Sequence, residues 1–397
     1  MRDNGGRVMT WYSAVVLTTL LAVLAGGFAW SQHRLLRPEL VTGDTFRSTT
    51  GGRSLQAVRS ARADTSPAGQ ALADLRALTL PNGAALAGPH GPWRYVWPRD
   101  ASFVATAYCA AGDTAAGLRV LGFLDRVRPR DGRWAARYHP DGSGPVADRR
   151  GNQLDGSGWV PWSVGFCAGR ASYDAVLPLW PMVRQSADTA LHELRRDGLP
   201  APSPDYWERR ESRPTLGTAA PLLAGLRSAA EVAQRLGHSA DAARWRAGAE
   251  RLERAVDRSF GTRGYPRTRR GGADSIVTVL GPPFATAREP VSAAIERSHR
   301  LLTLPNGGVT PGQDWRADGV AWTPSTALFG LSAAARGDRT TAVAMLDHLA
   351  RHRTAAGSFP EKITRSGRPG GEAPLAWTAA LVVLTNAALT APLPTPG

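Results

Sequence analysis

The chain has 397 residues, of which 43% are hydrophobic and 20% are charged, and its formal net charge is +15. A chain of this length and composition can bury a large core, which excludes an intrinsically disordered protein. Almost all of the positive charge is arginine, scattered along the chain, and Lys362 is the only lysine. No finger, basic zipper or RNA-recognition signature accompanies the arginines, so the sequence does not favour a nucleic-acid partner.

The N-terminal segment predicts a membrane anchor or a signal peptide. Residues 11–30 carry no charge and have about the length that crosses a bilayer as a helix, and Arg2 and Arg7 precede them. A small-x-small site at residues 27–29 permits cleavage, but the apolar run is longer than a usual signal core, which favours an uncleaved anchor. We therefore assign residues 1–40 to this segment and expect the body to face the extracellular side, membrane-anchored or secreted after cleavage.

A tether and a helical body follow. Residues 41–65 are rich in Thr, Gly, Ser and Arg, which predicts a flexible tether. From residue 66 to 392, alanine- and leucine-rich segments of helical period alternate with Gly and Pro loops, and strand-like alternation is scarce, so the body is predicted to be all-α. The predicted helices cover residues 66–79, 101–111, 113–128, 157–170, 172–196, 215–236, 239–258, 289–303, 321–336, 338–353 and 374–391.

Short turns join many of these helices. In AAGDTAAG, RLGHSADA and AARGDRTT, a glycine suited to the end of one helix is followed by an Asp or Ser suited to cap the next. Such junctions predict αα-hairpins, which stack either into a closed toroid or into an open α-solenoid.

The two cysteines leave two interpretations open. Cys109 and Cys167 lie in apolar helical stretches, where they form one disulfide in an oxidising compartment or remain two buried thiols. No His or further Cys stands at metal-ligand spacing, so no metal site is predicted.

The long loops have an unusual composition. Most of the thirteen tryptophans fall in or beside these loops, together with carboxylates, amides and arginines. Flat apolar rings that contact C–H faces, with charged groups that bind hydroxyls, are typical of a sugar pocket. The loops are residues 90–102, 152–162, 203–212, 310–323 and 357–378.

Motifs in these loops resemble those of a known enzyme family. In order, YVWPRDAS, QLDGSGW, DYWE, the segment from Asp314 to Trp322, and FPEK followed by PLAWT resemble glycoside hydrolase family 15, the inverting glucoamylase- and glucodextranase-like enzymes. The resemblance runs from about residue 90 to residue 391. It implies an (α/α)6 barrel of six inner and six outer helices with the site in the loops at one end, and so favours the toroid.

The resemblance also assigns the catalytic pair. Glu208, directly after Trp207, matches the general acid, and Glu361 in SFPEK matches the general base. Trp207 would keep the acid in apolar surroundings and therefore neutral, while the base would be ionised. Read without the resemblance, Glu208 is a solvated acid among arginines and Glu361 is a loop acid beside Lys362.

Eight substrate-binding residues follow from the same motifs. They are Trp97, Arg99, Asp100, Asp155, Trp159, Trp207, Asp314 and Trp322. Arg99 and Asp100 resemble the pair that binds hydroxyls at the non-reducing end of the terminal glucose, although a salt bridge at a helix start would look the same.

The remaining assignments have structural alternatives. Trp97 and Trp159 would be aromatic walls, and core packing competes for Trp159. Asp155 resembles a pocket acid near the general acid, but Asp-Gly is also ordinary turn chemistry. The loop that holds Asp314 and Trp322 lacks the arginine that starch-degrading members place before the matching acid, which puts the aglycone preference in doubt.

The resemblance implies an inverting, exo-acting glycoside hydrolase that releases glucose from the non-reducing ends of short α-glucosides, since the sequence leaves no stretch for a starch-binding module. The alternative is a catalytically weak or inactive membrane-tethered barrel that binds extracellular glycans. A purely structural all-α protein would leave the Trp-rich loops unexplained. Two carboxylates suffice for this hydrolysis, so no cofactor is expected. The expected partners are an oligosaccharide and the membrane, with the protein a monomer.

Overall fold

The computed structural model describes residues 66–397. The predicted anchor at residues 11–30 and the predicted tether at residues 41–65 lie outside the described residues. Within residues 66–397, every helix is too short or too polar to span a bilayer.

The described residues form eleven α-helices, which match the eleven predicted ones in order. They are α1 Pro67–Leu78, α2 Pro98–Ala110, α3 Thr114–Arg126, α4 Gly156–Arg170, α5 Trp180–His192, α6 Leu216–Arg235, α7 Ser239–Phe260, α8 Glu289–Leu302, α9 Thr323–Ala335, α10 Arg339–Arg351 and α11 Ala376–Thr390. The prediction of a mostly helical body is confirmed. The predicted helix at 172–196 differs most. A 3-10 helix, Asp174–Leu179, precedes α5, and Pro181 stands in the first turn of α5, where no N–H is needed.

The helices form two concentric layers. The inner layer consists of α2, α4, α6, the 3-10 helix Ser275–Leu280, α9 and α11; each packs against the next, and α11 closes the ring against α2. The outer layer is α1, α3, α5, α7, α8 and α10. Helices α2, α9 and α11 are buried along most of their length, whereas α7 buries one stripe, as expected for a helix with one face in solvent.

The twelfth element is the one that the sequence analysis missed. Ser275–Leu280 has six residues in a 3-10 helix and lies between α6 and α9 in the inner ring. A segment this short shows no helical period, although all six of its residues are buried. With this element the inner ring of six is closed, and six outer helices surround it. This confirms the toroid over the solenoid.

A disulfide and a pair of glycines hold inner helices close together. Cys109 of α2 and Cys167 of α4 form a disulfide, with their Cα atoms 5.4 Å apart. Gly158 of α4 and Gly225 of α6 lie where a Cβ on either would collide with the backbone of the other helix. Glycine allows this close approach of two backbones.

A small antiparallel sheet, which the sequence analysis did not predict, adjoins the inner ring. Strands β1 Ala321–Trp322, β2 Lys362–Ile363 and β3 Pro369–Gly370 pair in the order β1-β2-β3, with Trp322 opposite Lys362. Each strand has two residues, too few to produce alternation in the sequence. The sheet brings the loop before α9 alongside the loop before α11.

Candidate active site

A cavity of about 320 Å³ lies at the N-terminal ends of the inner helices. Six tryptophans contribute to its walls: Trp93, Trp97, Trp207, Trp315, Trp322 and Trp377. Seven charged side chains line it as well: Arg99, Asp100, Arg150, Glu208, Arg316, Glu361 and Lys362. Rings and charges in one small cavity are the combination that the loop composition predicted.

The first turn of α2 supplies the buried charges. Trp97 is the N-cap and Pro98 begins the helix, which places Arg99 and Asp100 in the first turn. Both side chains are buried, and Arg99 Nε lies 3.6 Å from Asp100 Oδ2. Arg99 Nη1 donates to Asp155 Oδ2 at 2.8 Å, which places Asp155, at the start of α4, behind Arg99 and not on the cavity wall.

The guanidinium of Arg99 thus interacts with the carboxylates of both Asp100 and Asp155. Burial raises the pKa of Asp100 to about 6, and the charge of Glu208 adds to this, while Arg99 opposes it. Burial likewise raises the pKa of Asp155 to about 6 against the opposing effect of Arg99. Because a guanidinium stays protonated, the cation at the base of the cavity is permanent.

Glu208 lies at the centre of a polar cluster. Its Oε1 accepts hydrogen bonds from Arg99 Nη2 at 3.1 Å and from Gln153 Nε2 at 2.9 Å, and its Oε2 lies 3.0 Å from Arg150 Nε. The side chain is 28% exposed. The apolar surroundings expected from Trp207 are therefore only part of its environment, because two guanidinium groups reach the carboxylate from elements distant in sequence.

The backbone at Glu208 is strained. Its φ is +55°, in the left-handed region that a non-glycine residue seldom adopts, at a cost of about 1–3 kcal/mol. Such strain persists only where the surroundings fix the conformation, and it clusters at functional sites.

A buried ion pair fixes this turn. Asp205 accepts the backbone N–H of Trp207 at 2.9 Å through its side chain and that of Glu208 at 2.8 Å through its carbonyl. Arg267 Nη2 donates to both Asp205 carboxylate oxygens, at 2.8 and 2.7 Å, and its guanidinium lies 3.8 Å from the centre of the Trp207 ring. Thr215, the N-cap of α6, also donates to Asp205.

The main chain of Glu361 is held by backbone hydrogen bonds. It directly precedes β2; its N–H donates to the carbonyl of Glu372 at 2.7 Å, and its own carbonyl accepts from the N–H of Thr323 at 3.1 Å. Its side chain is 7% exposed, and Oε2 lies 3.2 Å from Lys362 Nζ. Apart from this ion pair, Oε2 has no hydrogen-bond partner among residues 66–397.

The structure gathers seven of the ten predicted site residues around the cavity. They are Trp97, Arg99, Asp100, Trp207, Glu208, Trp322 and Glu361. The other three, Asp155, Trp159 and Asp314, do not line it.

Trp159 and Asp314 correct the sequence-based expectations. Trp159 is 1% exposed and packs against Phe103 and Trp162 in the core, so it forms no wall of the cavity. Asp314 accepts the backbone N–H of Gly272 at 2.8 Å in an exposed loop. Its neighbour Trp315 lines the cavity instead.

Several cavity residues were not singled out from the sequence. Trp377 belongs to the recognised motif PLAWT, and Arg150 stands shortly before QLDGSGW, so both could have been taken with these motifs. Arg267, which supports the turn at Glu208 from outside the cavity, had no local signal because its partner Asp205 is distant in sequence. Within residues 66–397, no group of three or more His, Cys, Asp or Glu side chains could hold a metal ion.

Solved structures share this fold. A glycosidase variant in complex with glucose matches with a TM-score of 0.71 and 22% identity over 82% of this chain and 96% of that one. A glycoside hydrolase family 15 glucoamylase from Hypocrea jecorina matches at 0.67 and 14% identity, over 82% and 72% of the two chains. A bacterial glucoamylase complexed with acarbose matches at 0.64 and 18% identity, over 81% and 55%. No family model and no curated protein matches the chain.

Proposed function

We propose that this protein is an inverting, exo-acting glycoside hydrolase that releases glucose from the non-reducing ends of short α-glucosides. The observation that carries the proposal is that Glu208 and Glu361, which come from different loops, line one Trp-walled cavity together with Arg99 and Asp100. The shared fold with glycosidases and glucoamylases of low identity is consistent with it.

Glu208 would be the general acid. A glycosidic oxygen leaves poorly until it is protonated, so the acid must carry a proton when the bond breaks. The Asp205–Arg267 pair supports the strained turn at Glu208, and the Glu208 side chain lines the cavity, which supports this role. A positioned acid of this kind typically contributes about 10²–10⁴-fold to the rate.

Glu361 would be the general base. It would take a proton from the water that attacks the anomeric carbon from the opposite face of the sugar, which inverts the configuration. Lys362 Nζ lies 3.2 Å from Oε2, so a cation stands beside the base. The backbone bonds of Glu361 hold its main chain in place while its side chain acts.

The base of the cavity would bind the terminal sugar. Arg99 and Asp100 are buried and offer fixed donors and acceptors to hydroxyl groups. Trp207, Trp315 and Trp377 each carry a buried indole nitrogen without a hydrogen-bond partner among residues 66–397. A cavity of about 320 Å³ has room for one or two sugar rings at the non-reducing end of a substrate, as exo action requires.

The test is a product analysis on the full chain. Maltose, isomaltose, trehalose, maltotriose and dextran are incubated with the wild type and with Glu208→Gln and Glu361→Gln, and released glucose is followed by proton NMR. With maltotriose and dextran, whose leaving groups are not glucose, we expect β-glucose to appear first with the wild type. With every substrate we expect release to be lost in both variants. Glu250→Gln is the control, since that side chain is 58% exposed on α7.

Each other outcome has a definite meaning. With maltotriose or dextran, initial release of α-glucose would overturn the inverting mechanism. Full activity in Glu208→Gln would overturn the assignment of the acid. If no sugar is cleaved but sugars still bind, the protein is a glycan-binding barrel, and the hydrolase proposal fails.

A further inference from the structure

Arg150 occupies a place at the cavity that the catalytic proposal does not use. It lies between α3 and α4, lines the cavity, and its side chain is 34% exposed. Its Nε is 3.0 Å from Glu208 Oε2, while Arg99 donates to Oε1 of the same carboxylate. Because Arg99 is buried and Arg150 is partly exposed, Arg150 lies on the outer side of the acid, where a leaving group would be.

The guanidinium of Arg150 is held in place by a chain of contacts. Asp148 accepts the backbone N–H of Arg150 at 2.9 Å and its Nη1 at 2.8 Å. Asp148 is in turn held by the buried Arg137, whose Nε donates to it at 2.9 Å. Arg137 lies 4.3 Å from the ring centre of Tyr95 and 5.2 Å from that of Trp97. Arg150 is therefore fixed before any ligand arrives.

The charges of Asp148 and its partners are stable over a wide pH range. Burial acts to raise the pKa of Asp148, but the hydrogen bonds from Arg150 and Arg137 outweigh it and lower the pKa. Asp148 therefore stays anionic and neutralises one of the two guanidinium groups beside it. The carboxylate of Glu208 supplies the second negative charge, which pairs with the guanidinium of Arg150.

Protonation of Glu208, which must precede cleavage by a general acid, removes that second charge. When Glu208 carries the proton that it donates, the cavity keeps four cations and only two acids. The cations are Arg99, Arg150, Arg316 and Lys362, and the acids are Asp100 and Glu361. A neutral leaving group would leave Arg150 without the partner that Glu208 supplied, whereas an acidic one would replace it.

We propose that Arg150 binds an acidic group on the aglycone, so that the preferred substrates are α-glucosides of a hydroxy acid. The inference rests on the proposed hydrolase function and narrows its substrate class. The planar guanidinium of Arg150 matches a carboxylate, and Arg316 and Lys362 add positive charge at the same cavity. The acidic group of the substrate would take the place of Glu208 as the partner of Arg150.

The test compares two glucosides of equal size that differ in one group. The full chain is assayed with 2-O-α-glucosylglycerate and with 2-O-α-glucosylglycerol, and kcat/KM is measured for each. We expect the wild type to prefer the acid by about tenfold or more, since a charge-assisted hydrogen bond contributes about 1.5–3 kcal/mol. In Arg150→Gln the preference should fall to about parity.

Arg149→Gln is the matched control. Arg149 is the exposed neighbour of Arg150, does not line the cavity, and carries the same charge, so its loss should leave the preference intact. A wild type that cleaves both glucosides equally, or an Arg150→Gln variant that keeps the preference, would overturn the inference while leaving the hydrolase proposal standing.

Failure of the hydrolase proposal would look different. In that case none of the α-glucosides would be cleaved, and calorimetric binding of the same two glucosides to the same three proteins would decide the role of Arg150. Tighter binding of the acid that is lost only in Arg150→Gln would support the inference. Equal binding of both glucosides would overturn it.

Discussion

The two glutamates at the cavity are supported in opposite ways. The carboxylate of Glu208 contacts Arg99, Gln153 and Arg150, all from other elements, and its backbone is held in a left-handed conformation. Glu361 forms an ion pair with Lys362 and is held through main-chain hydrogen bonds at the start of the middle strand of a three-stranded sheet.

The difference has a chemical consequence. The carboxylate of Glu208 responds to changes around its partners, because Arg99 and Arg150 also contact other carboxylates. The position of Glu361, which is held through main-chain hydrogen bonds, depends instead on the steric fit of the residues around it. We therefore expect Glu208 to be sensitive to distant charge substitutions and Glu361 to be sensitive to substitutions within its own loop.

The largest expected effect distinguishes the general acid from the general base through the leaving group of the substrate. With natural α-glucosides, Glu208→Gln and Glu361→Gln should each lower kcat by about 10³-fold. With α-glucosyl fluoride, whose leaving group needs little protonation, Glu208→Gln should recover most of its rate while Glu361→Gln should not. Steady-state kinetics on both substrates measure this, and equal recovery by the two variants would contradict the assigned roles.

The next effect is on stability. Arg267→Met leaves Asp205 buried without its partner, and we expect the free energy of unfolding to fall by about 3–5 kcal/mol. Urea unfolding of the full chain measures it. Arg244→Met is the control, since that side chain is 48% exposed in a surface pair and should cost less than about 1 kcal/mol. Similar losses in both variants would show that the pair does not fix the turn at Glu208.

A smaller effect tests the backbone support of Glu361. Gly371 has a φ of +73°, and a Cβ there would collide with the Glu361 carboxylate. Gly371→Ala should lower kcat by about 10- to 100-fold, since small displacements of a catalytic group have effects of that size. Gly367→Ala has a similar φ of +77° but meets only His352, at 3.7 Å, so it controls for strain alone. Equal kcat in the two variants would rule out steric positioning of Glu361.

The smallest effect concerns pH and the charges around Glu208. Burial raises the pKa of Asp100 to about 6, although Arg99 opposes it. The folded protein then binds this proton more tightly than the unfolded chain, so the contribution is full below about pH 4 and is lost as the pH rises through about 6. Asp100→Asn cannot titrate at this position.

The difference in unfolding free energy between wild type and Asp100→Asn should therefore fall by about 1–2 kcal/mol between pH 4 and pH 6.5. Denaturant unfolding at four pH values across this range measures it. A difference that stays constant or increases with pH would mean that Asp100 is ionised throughout, as a simple ion pair with Arg99 would be.

Much of the fold was predictable because its signals are local. The period of the apolar residues and the Gly, Asp and Ser at the junctions located eleven helices, and the order of the loop motifs indicated the barrel. The sheet and the 3-10 helix Ser275–Leu280 were missed, because two to six residues are too few to show a period.

The candidate site was also predictable in part, where its signals are local. By itself, the sequence determined which residues are neighbours along the chain, such as Trp207 next to Glu208. It placed Arg99 and Asp100 just before a predicted helix at 101–111, whereas they lie in the first turn of α2. Only the tertiary structure decided that Arg150 meets Glu208, that Arg267 meets Asp205, and that Trp159 belongs to the core. The reason is physical: helix starts and caps depend on contacts within a few residues, whereas a buried charge finds its partner only when closure of the ring brings distant loops together.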